Sequence, residues 1–334
     1  MCETCSKSEF ESARAHLAAA SSILVIAHCR PDGDTLGSML ALATSARAAG
    51  KTAHMMVDDE IPAKYDFLFG SERPLRGQVL AALAETVDRI VIVDTAALSQ
   101  LDNLAPVLAR HAAKIVVIDH HHPGERIAAV QWTDASAAAA GVMVAQLLAA
   151  LGWPVGPVQA EALMAALTSD TGWFRFSSTN PPALRLAADW VAMGARLEVL
   201  YARLYQTARP QQLALLARML GTLELHHNDM LAAMTIRRAD FAATGARGDE
   251  TENLVNEALR IGSVQVALLL VESDGPAVRV NLRSREAVDV AALARTFGGG
   301  GHRRAAGLRS SEPIDALKAR LIHACDAALT QAGL

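Results

Sequence analysis

The sequence predicts an α/β protein: an N-terminal domain built on a parallel sheet, a helical connector, and a smaller C-terminal α/β domain. Three observations predict it. Short β-branched runs alternate with Ala- and Leu-rich helical stretches through the first half, the pattern of a parallel sheet covered by helices. Two of those runs, RIVIVD (89–94) and KIVVID (114–119), are apolar almost without a break, as strands buried on both faces are. Strand and helix signals alternate again after Leu223, behind a long stretch of purely helical periodicity. Domains are therefore expected at 1–190 and 223–334, with 191–222 as the helical linker.

Taken in order, ILVIAH (23–28) reads as a strand, followed by a Pro-Gly loop and a helix over 35–49 that stops at Gly50. Shorter strands are expected at 53–57 and 65–69. Helical periodicity covers 136–220, and Pro210 should kink or divide it. Beyond it lie a strand at 230–237, a helix at 252–261, and strands at 264–272 and 277–283 joined by a turn at Asp274-Gly275. A helix at 290–296, a four-glycine loop and a helix over 314–332 complete the chain.

Composition narrows the function. With 334 residues, 51% of them hydrophobic, the chain can bury two cores. A formal net charge of -4 argues against holding long nucleic acid, which takes many Lys and Arg contacts to phosphates. A polyanionic substrate must be small or meet a local basic patch. Of the four cysteines, Cys2 and Cys5 have the spacing of half a zinc site but lack a second pair, so they read as a reduced terminus. The opening residues carry no basic segment followed by an apolar one. The longest low-charge run, 135–155, is broken by Gly141, Gly152 and Pro154. Both features point to a cytoplasmic protein without a membrane partner.

Chemistry gathers at the carboxyl ends of the expected strands, where loops converge above a parallel sheet. The first strand delivers His28, then Asp32 and Asp34. The others deliver Asp94 and the run Asp119, His120, His121, His122, and a later helix end supplies Asp170. Each residue has an ordinary alternative: a hydrogen-bonded histidine, a turn or helix cap at Asp32, a loop acid at Asp94. Together, carboxylates converging on one edge repel unless cations or protons intervene. Mixed imidazole and carboxylate ligands suit Mn, Fe, Co or Zn better than Mg. Gly33 reads as a tight turn that points two acids at neighbouring ions.

At these residues the chain resembles the DHH phosphoesterase superfamily, on Asp119-His120-His121 and on HCRPDGDTLGS (28–38), VIVDTA (91–96), VIDHHHPG (117–124) and TSDTGWF (168–174). FGGGGHRRAAG (297–307) resembles the signature of the DHH-associated C-terminal domain. Size and domain content are similar to the bifunctional oligoribonuclease and pAp phosphatase type. The resemblance implies two divalent ions, Mn2+ with Mg2+ or Co2+ as alternatives. One would be held by His28, Asp32 and Asp94, the other by Asp34, Asp94, His120 and Asp170, making Asp94 the bridge. It further implies Asp119 as an acid orienting an imidazole, and His121 as a phosphate contact. His122 is left as an extra loop histidine.

For the second domain it implies substrate binding by Gly299, Gly300, Gly301, His302, Arg283 and Arg285. There, seven arginines face two acids between 277 and 309, the basic patch that the overall charge demands. The implied reaction is hydrolysis of short RNA or pAp to nucleoside monophosphates. Cyclic dinucleotides or their linear products are the alternative substrates, and a catalytically silent nucleotide-binding regulator is the alternative class. Relatives of this type often form homodimers, so the resemblance points to one. After Trp132 the chain departs from the family pattern, with Asp134 preceding ASAAAA (135–140), which puts the contacts of Ser136 in question.

Overall fold

The structure is a computed structural model that describes residues 3–121, 126–272, 275 and 277–334, with 3–6 described by backbone alone. The chain divides into two compact units, Met1–Thr207 and Ala208–Leu334. The first comprises α1 (Glu3–Ala19), β1 (Ser22–Ile26), α2 (Gly33–Ala48), β2 (Thr52–Met56), α3 (Asp66–Phe69), α4 (Leu80–Thr86) and β3 (Arg89–Val93). It continues through α5 (Ala105–Arg110), β4 (Ile115–Asp119), β5 (Val130–Thr133), α6 (Ala140–Leu151), α7 (Pro157–Asp170), α8 (Pro181–Ala192) and α9 (Leu197–Tyr205). The second comprises α10 (Pro210–Leu220), β6 (Glu224–His226), β7 (Leu231–Ile236), α11 (Arg238–Thr244), β8 (Val266–Glu272), β9 (Val278–Ser284), α12 (Val290–Thr296), β10 (Gly300–His302), β11 (Ala305–Ser310) and α13 (Ile314–Gln331).

In the first unit five parallel strands run in the order β2-β1-β3-β4-β5. The unbroken apolar runs have the expected cause: both faces are covered. Ile23, Val25, Val91, Val93, Val116 and Ile118 join one core with α2, α6 and α7. Their alternates Leu24, Ile26, Ile90, Ile92, Ile115 and Val117 join another. Strand β1 is flanked by β2 on one side and β3 on the other, so the chain reverses its winding there. Loops leaving β1 and β3 diverge, and they open a crevice at the carboxyl edge.

Helices α2 and α7 pack closely because Gly37 has no side chain: an added Cβ would overlap the Ala162 carbonyl oxygen. The segment 65–69, expected as a strand, is a short helical turn instead. Tyr65 and Phe69 are its buried residues while Phe67 between them is only partly buried; a helical face takes every fourth residue, whereas a strand face would have buried Phe67 with them.

The second unit is a mixed six-stranded sheet in the order β10-β11-β9-β8-β7-β6. Along β9 burial alternates strictly. Val278, Val280 and Leu282 enter the core beneath α12 and α13, while Arg279, Asn281 and Arg283 take the other face. The stretch 191–222 divides at Pro210. Leu200 of α9 is buried in the first unit's core, and α10 starts on Pro210, where a missing N–H costs a helix nothing, then buries Leu215 and Met219 on the second sheet. The four-glycine segment is only half a loop: Gly300–His302 forms β10 and pairs with β11. Gly298 (φ 76) and Gly301 (φ 139) occupy backbone conformations that favour glycine.

Candidate metal centre and phosphate-binding loop

Six side chains converge in the first unit, and five elements deliver them. His28 and Asp32 follow β1, Asp34 opens α2, Asp94 follows β3, His120 follows β4, and Asp170 ends α7. Their ligand atoms fall into overlapping groups within 4.8 Å: His28 with Asp32 and Asp94, Asp34 with His120 and Asp170, and Asp94 with His120 and His121. Asp94 lies between the first two. Its Oδ2 is 3.4 Å from His28 Nε2 and its Oδ1 is 3.3 Å from His120 Nε2.

Each histidine is held from behind. His28 Nδ1 donates to its neighbour's carbonyl, Cys29 O, at 2.7 Å, and His120 Nδ1 lies 3.3 Å from Ala137 O. A ring nitrogen that donates to the backbone leaves the opposite nitrogen aimed at the acids, as metal-binding imidazoles are held.

Asp32 combines both roles that its sequence position allows. Its Oδ1 accepts from the Asp34 and Thr35 amides and caps α2. Its other oxygen is left toward the cluster. Asp34 is fully buried, and three donors hold it: Ala140 N at 2.6 Å, Gly141 N at 2.9 Å and Ser38 Oγ at 3.1 Å. The first two are amides at the amino end of α6, where unpaired N–H groups favour an anion. Sequence reading missed this support. Its only trace is the Ala-Ala-Gly start of the helix, small enough to let the backbone approach.

Gly33 serves a different purpose from the expected turn. It is the first residue of α2, and an added Cβ would lie 2.7 Å from Ser169 Oγ, so glycine is required by crowding against the end of α7. Asp94 itself sits at φ 66, a conformation that aspartate and asparagine tolerate better than most residues and that surrounding structure must enforce.

The electrostatics call for cations. Burial pushes the Asp34 and Asp32 carboxyls up, and the neighbouring acids add to the effect. Burial also works against a charged His28, yet Asp94 and the Cys29 carbonyl outweigh it and raise the imidazole to about 9. His120 is likewise raised against burial, to about 11, by Asp170 and Asp94. Asp94 is held below the usual carboxylate range because these two imidazoles outweigh its burial. Even so, Asp94 Oδ1 and His120 Nε2 are buried and meet no partner in hydrogen-bond geometry. Four carboxylates with two inward-facing nitrogens, two of those atoms unsatisfied, fit a pair of divalent cations, whose +4 charge balances the acids.

Asp119 and His121 stand beside this group. Asp119 is buried and its Oδ1 takes His121 Nδ1 at 2.8 Å and the His121 amide at 3.1 Å. That contact raises the His121 imidazole and fixes a ring whose side chain is 58% exposed. His122 and Cys2 lie outside the described residues. Ser136 turns back on Asp134, its Oγ 2.6 Å from Oδ1, and makes no contact with the six.

In the second unit, His302 is exposed on β10. Arg283 is partly buried, its Nη1 donating to Leu282 O, and burial lowers its guanidinium pKa. Arg285 is engaged structurally, donating to the carbonyls of Leu259 (3.0 Å) and Ile261 (3.4 Å).

Comparisons with known proteins agree with this architecture. Residues 22–168 match the model of the DHH family, N-terminal domain, and residues 231–330 match that of the DHHA1 domain. A bifunctional oligoribonuclease and PAP phosphatase NrnA of Thermus thermophilus is 30% identical, over 93% of this chain and 91% of that protein. An exopolyphosphatase-related protein of Bacteroides fragilis shares the fold with a TM-score of 0.88 at 21% identity, covering 97% and 96% of the two chains. RecJ from Thermus thermophilus, solved in complex with Mn2+, shares it at a TM-score of 0.55 and 17% identity, covering 97% of this chain and 55% of that one. The chain belongs to the DHH family.

Proposed function

We propose that this protein is a divalent-metal-dependent phosphoesterase that hydrolyses short oligoribonucleotides and pAp to nucleoside monophosphates. The observation that carries the reading is the convergence of four acids and two backbone-anchored imidazoles around Asp94. Similarity to an oligoribonuclease and PAP phosphatase over nearly the whole length supports the substrate class.

His28, Asp32 and Asp94 would hold one ion, and Asp34, Asp94, His120 and Asp170 the other. Manganese is the first choice because carboxylates outnumber imidazoles among these donors, while the two imidazoles disfavour magnesium. Bound there, a pair of divalent ions would make water a stronger nucleophile and offset the negative charge that builds on the phosphoryl oxygens. The chain's own groups do the rest. Asp119 keeps His121 oriented and favours its protonated form, whose second nitrogen can donate to a phosphoryl oxygen. The amides of α6 hold the buried Asp34 carboxyl in place and favour its charged form. Arg283, His302 and Gly299–Gly301 bind phosphate through charge-assisted and backbone N–H bonds. Among the described residues no helix is long and apolar enough to cross a membrane, and we assign the activity to the cytoplasm.

The test is direct. The purified protein with Mn2+ is assayed side by side on pAp, a diribonucleotide, a 24-mer RNA and cyclic di-AMP. Rapid hydrolysis of the first two, with little on the 24-mer, is expected. Faster turnover of cyclic di-AMP would replace the assigned substrate, and no hydrolysis of any of the four would reject the enzyme.

A further inference from the structure

Apart from the residues assigned above, the second unit holds a cavity of about 350 Å³. Phe241 and Val271 are the apolar part of its wall, and Arg247, Arg279, Arg309 and one acid, Glu272, are the charged part. Arg279 on β9 and Arg309 on β11 are direct partners in the antiparallel ladder. Like charges at such positions repel and weaken a sheet. Arg279 Nε is moreover buried without a hydrogen-bond partner, although its Nη2 donates to the Thr251 hydroxyl. Glu272 does not answer this charge. It accepts from the Arg238 amide at 3.0 Å and pairs with Arg237 at 3.7 Å. Among the described residues neither Arg279 nor Arg309 takes part in an ion pair; the neighbouring pairs include Arg209–Glu250 and Arg247–Asp249.

We infer that this cavity is a binding site for a nucleoside phosphate, with the phosphate bridging Arg279 and Arg309 and the base against Phe241. A dianionic phosphate relieves the repulsion between two guanidinium groups and gives the stranded Nε–H an acceptor. The apolar wall accounts for the nucleoside, since aromatic rings stack on any base. The volume lies within the range of small-ligand sites. The site is distinct from the one assigned to Arg283 and His302. Arg279 stands four positions before Arg283 on the same strand, roughly 13 Å away at about 3.3 Å per residue. Its ligand is either a free mononucleotide or the phosphorylated end of a longer chain.

The full-length protein is titrated in EDTA, so that hydrolysis plays no part, with AMP, adenosine, inorganic phosphate and a 5′-phosphorylated dinucleotide. AMP is expected to bind and raise the melting temperature, phosphate to bind more weakly, and adenosine not to bind. Arg309→Gln and Arg279→Gln should each weaken AMP at least tenfold, and Arg309→Gln should do so equally in an Arg283→Gln background, where the substrate site is already weakened. Arg309→Gln, at an exposed position, should melt no lower than wild type without ligand because the like-charge pair is gone. A dinucleotide binding tenfold tighter than AMP would assign the site to RNA ends, and equal affinity would assign it to mononucleotides. Absence of AMP binding, an equal AMP response in wild type and Arg309→Gln, or an Arg309→Gln effect that disappears in the Arg283→Gln background would overturn the inference.

Discussion

Asp94→Asn is the most discriminating single change, because it keeps shape and removes charge. Asparagine tolerates the positive φ of 66 at this position, so the backbone should hold. The side chain faces His28 Nε2 at 3.4 Å and His120 Nε2 at 3.3 Å, which places one carboxylate on both halves of the cluster. Two unit charges about 4 Å apart interact by about 4 kcal/mol at an effective dielectric of about 20. Loss of that much from the transition state lowers kcat by about 10³, at 1.36 kcal/mol per decade. Turnover of pAp with saturating Mn2+ measures the effect, circular dichroism checks the fold, and calorimetry should show weakened manganese binding. A kcat above a tenth of wild type would refute the bridging role.

Further outcomes test the surrounding structure. Metal-free protein should release protons on binding manganese at pH 7.5, since His28 and His120 are raised to about 9 and 11, and apparent affinity should climb from pH 6 to 9; calorimetry in buffers of different ionisation enthalpy reads this out. The sign reverses for stability in EDTA: both raised imidazoles contribute fully below the unfolded value of about 6.5, and the contribution is lost as pH rises through 9 and beyond, so the melting temperature should fall over that interval. Glu250→Gln removes the acid that Arg209 grips through two bonds of 2.7 Å and that also takes the Arg247 amide. It should destabilise the second unit by about 2 kcal/mol in a denaturant titration. Those contacts lower Glu250 to about 2, so in wild type the same stability should be present above pH 4.5 and decline as pH falls toward 2. Arg283→Gln should raise KM for pAp at least tenfold with kcat little changed, and an unaltered KM would remove Arg283 from the substrate site.

Much of this architecture was legible because buried parallel strands write themselves as apolar runs. The ends of 89–94 and 114–119 could be read directly, and with them the positions of Asp94 and Asp119. What stayed hidden were contacts between residues distant in sequence. The α6 amides reach Asp34 from 106 positions away, and no local pattern announces an N–H group. Gly33 was read as a turn because glycine is usually free to turn, whereas the crowding that requires it comes from Ser169. The Tyr65–Phe69 segment misled because five residues hold too little periodicity to separate helix from strand. In the glycine segment, the residues that turn its second half into β10 by pairing with it, Ala305–Gly307, lie a few positions further on in the same motif.

Every acid and imidazole of the cluster falls between positions 28 and 170, inside the first compact unit. On the proposed assignment, bond cleavage and most of substrate recognition are encoded on separate stretches of polypeptide. Grafting a different second unit after Thr207 would change which phosphate ester is retained, while the cutting apparatus passed on intact.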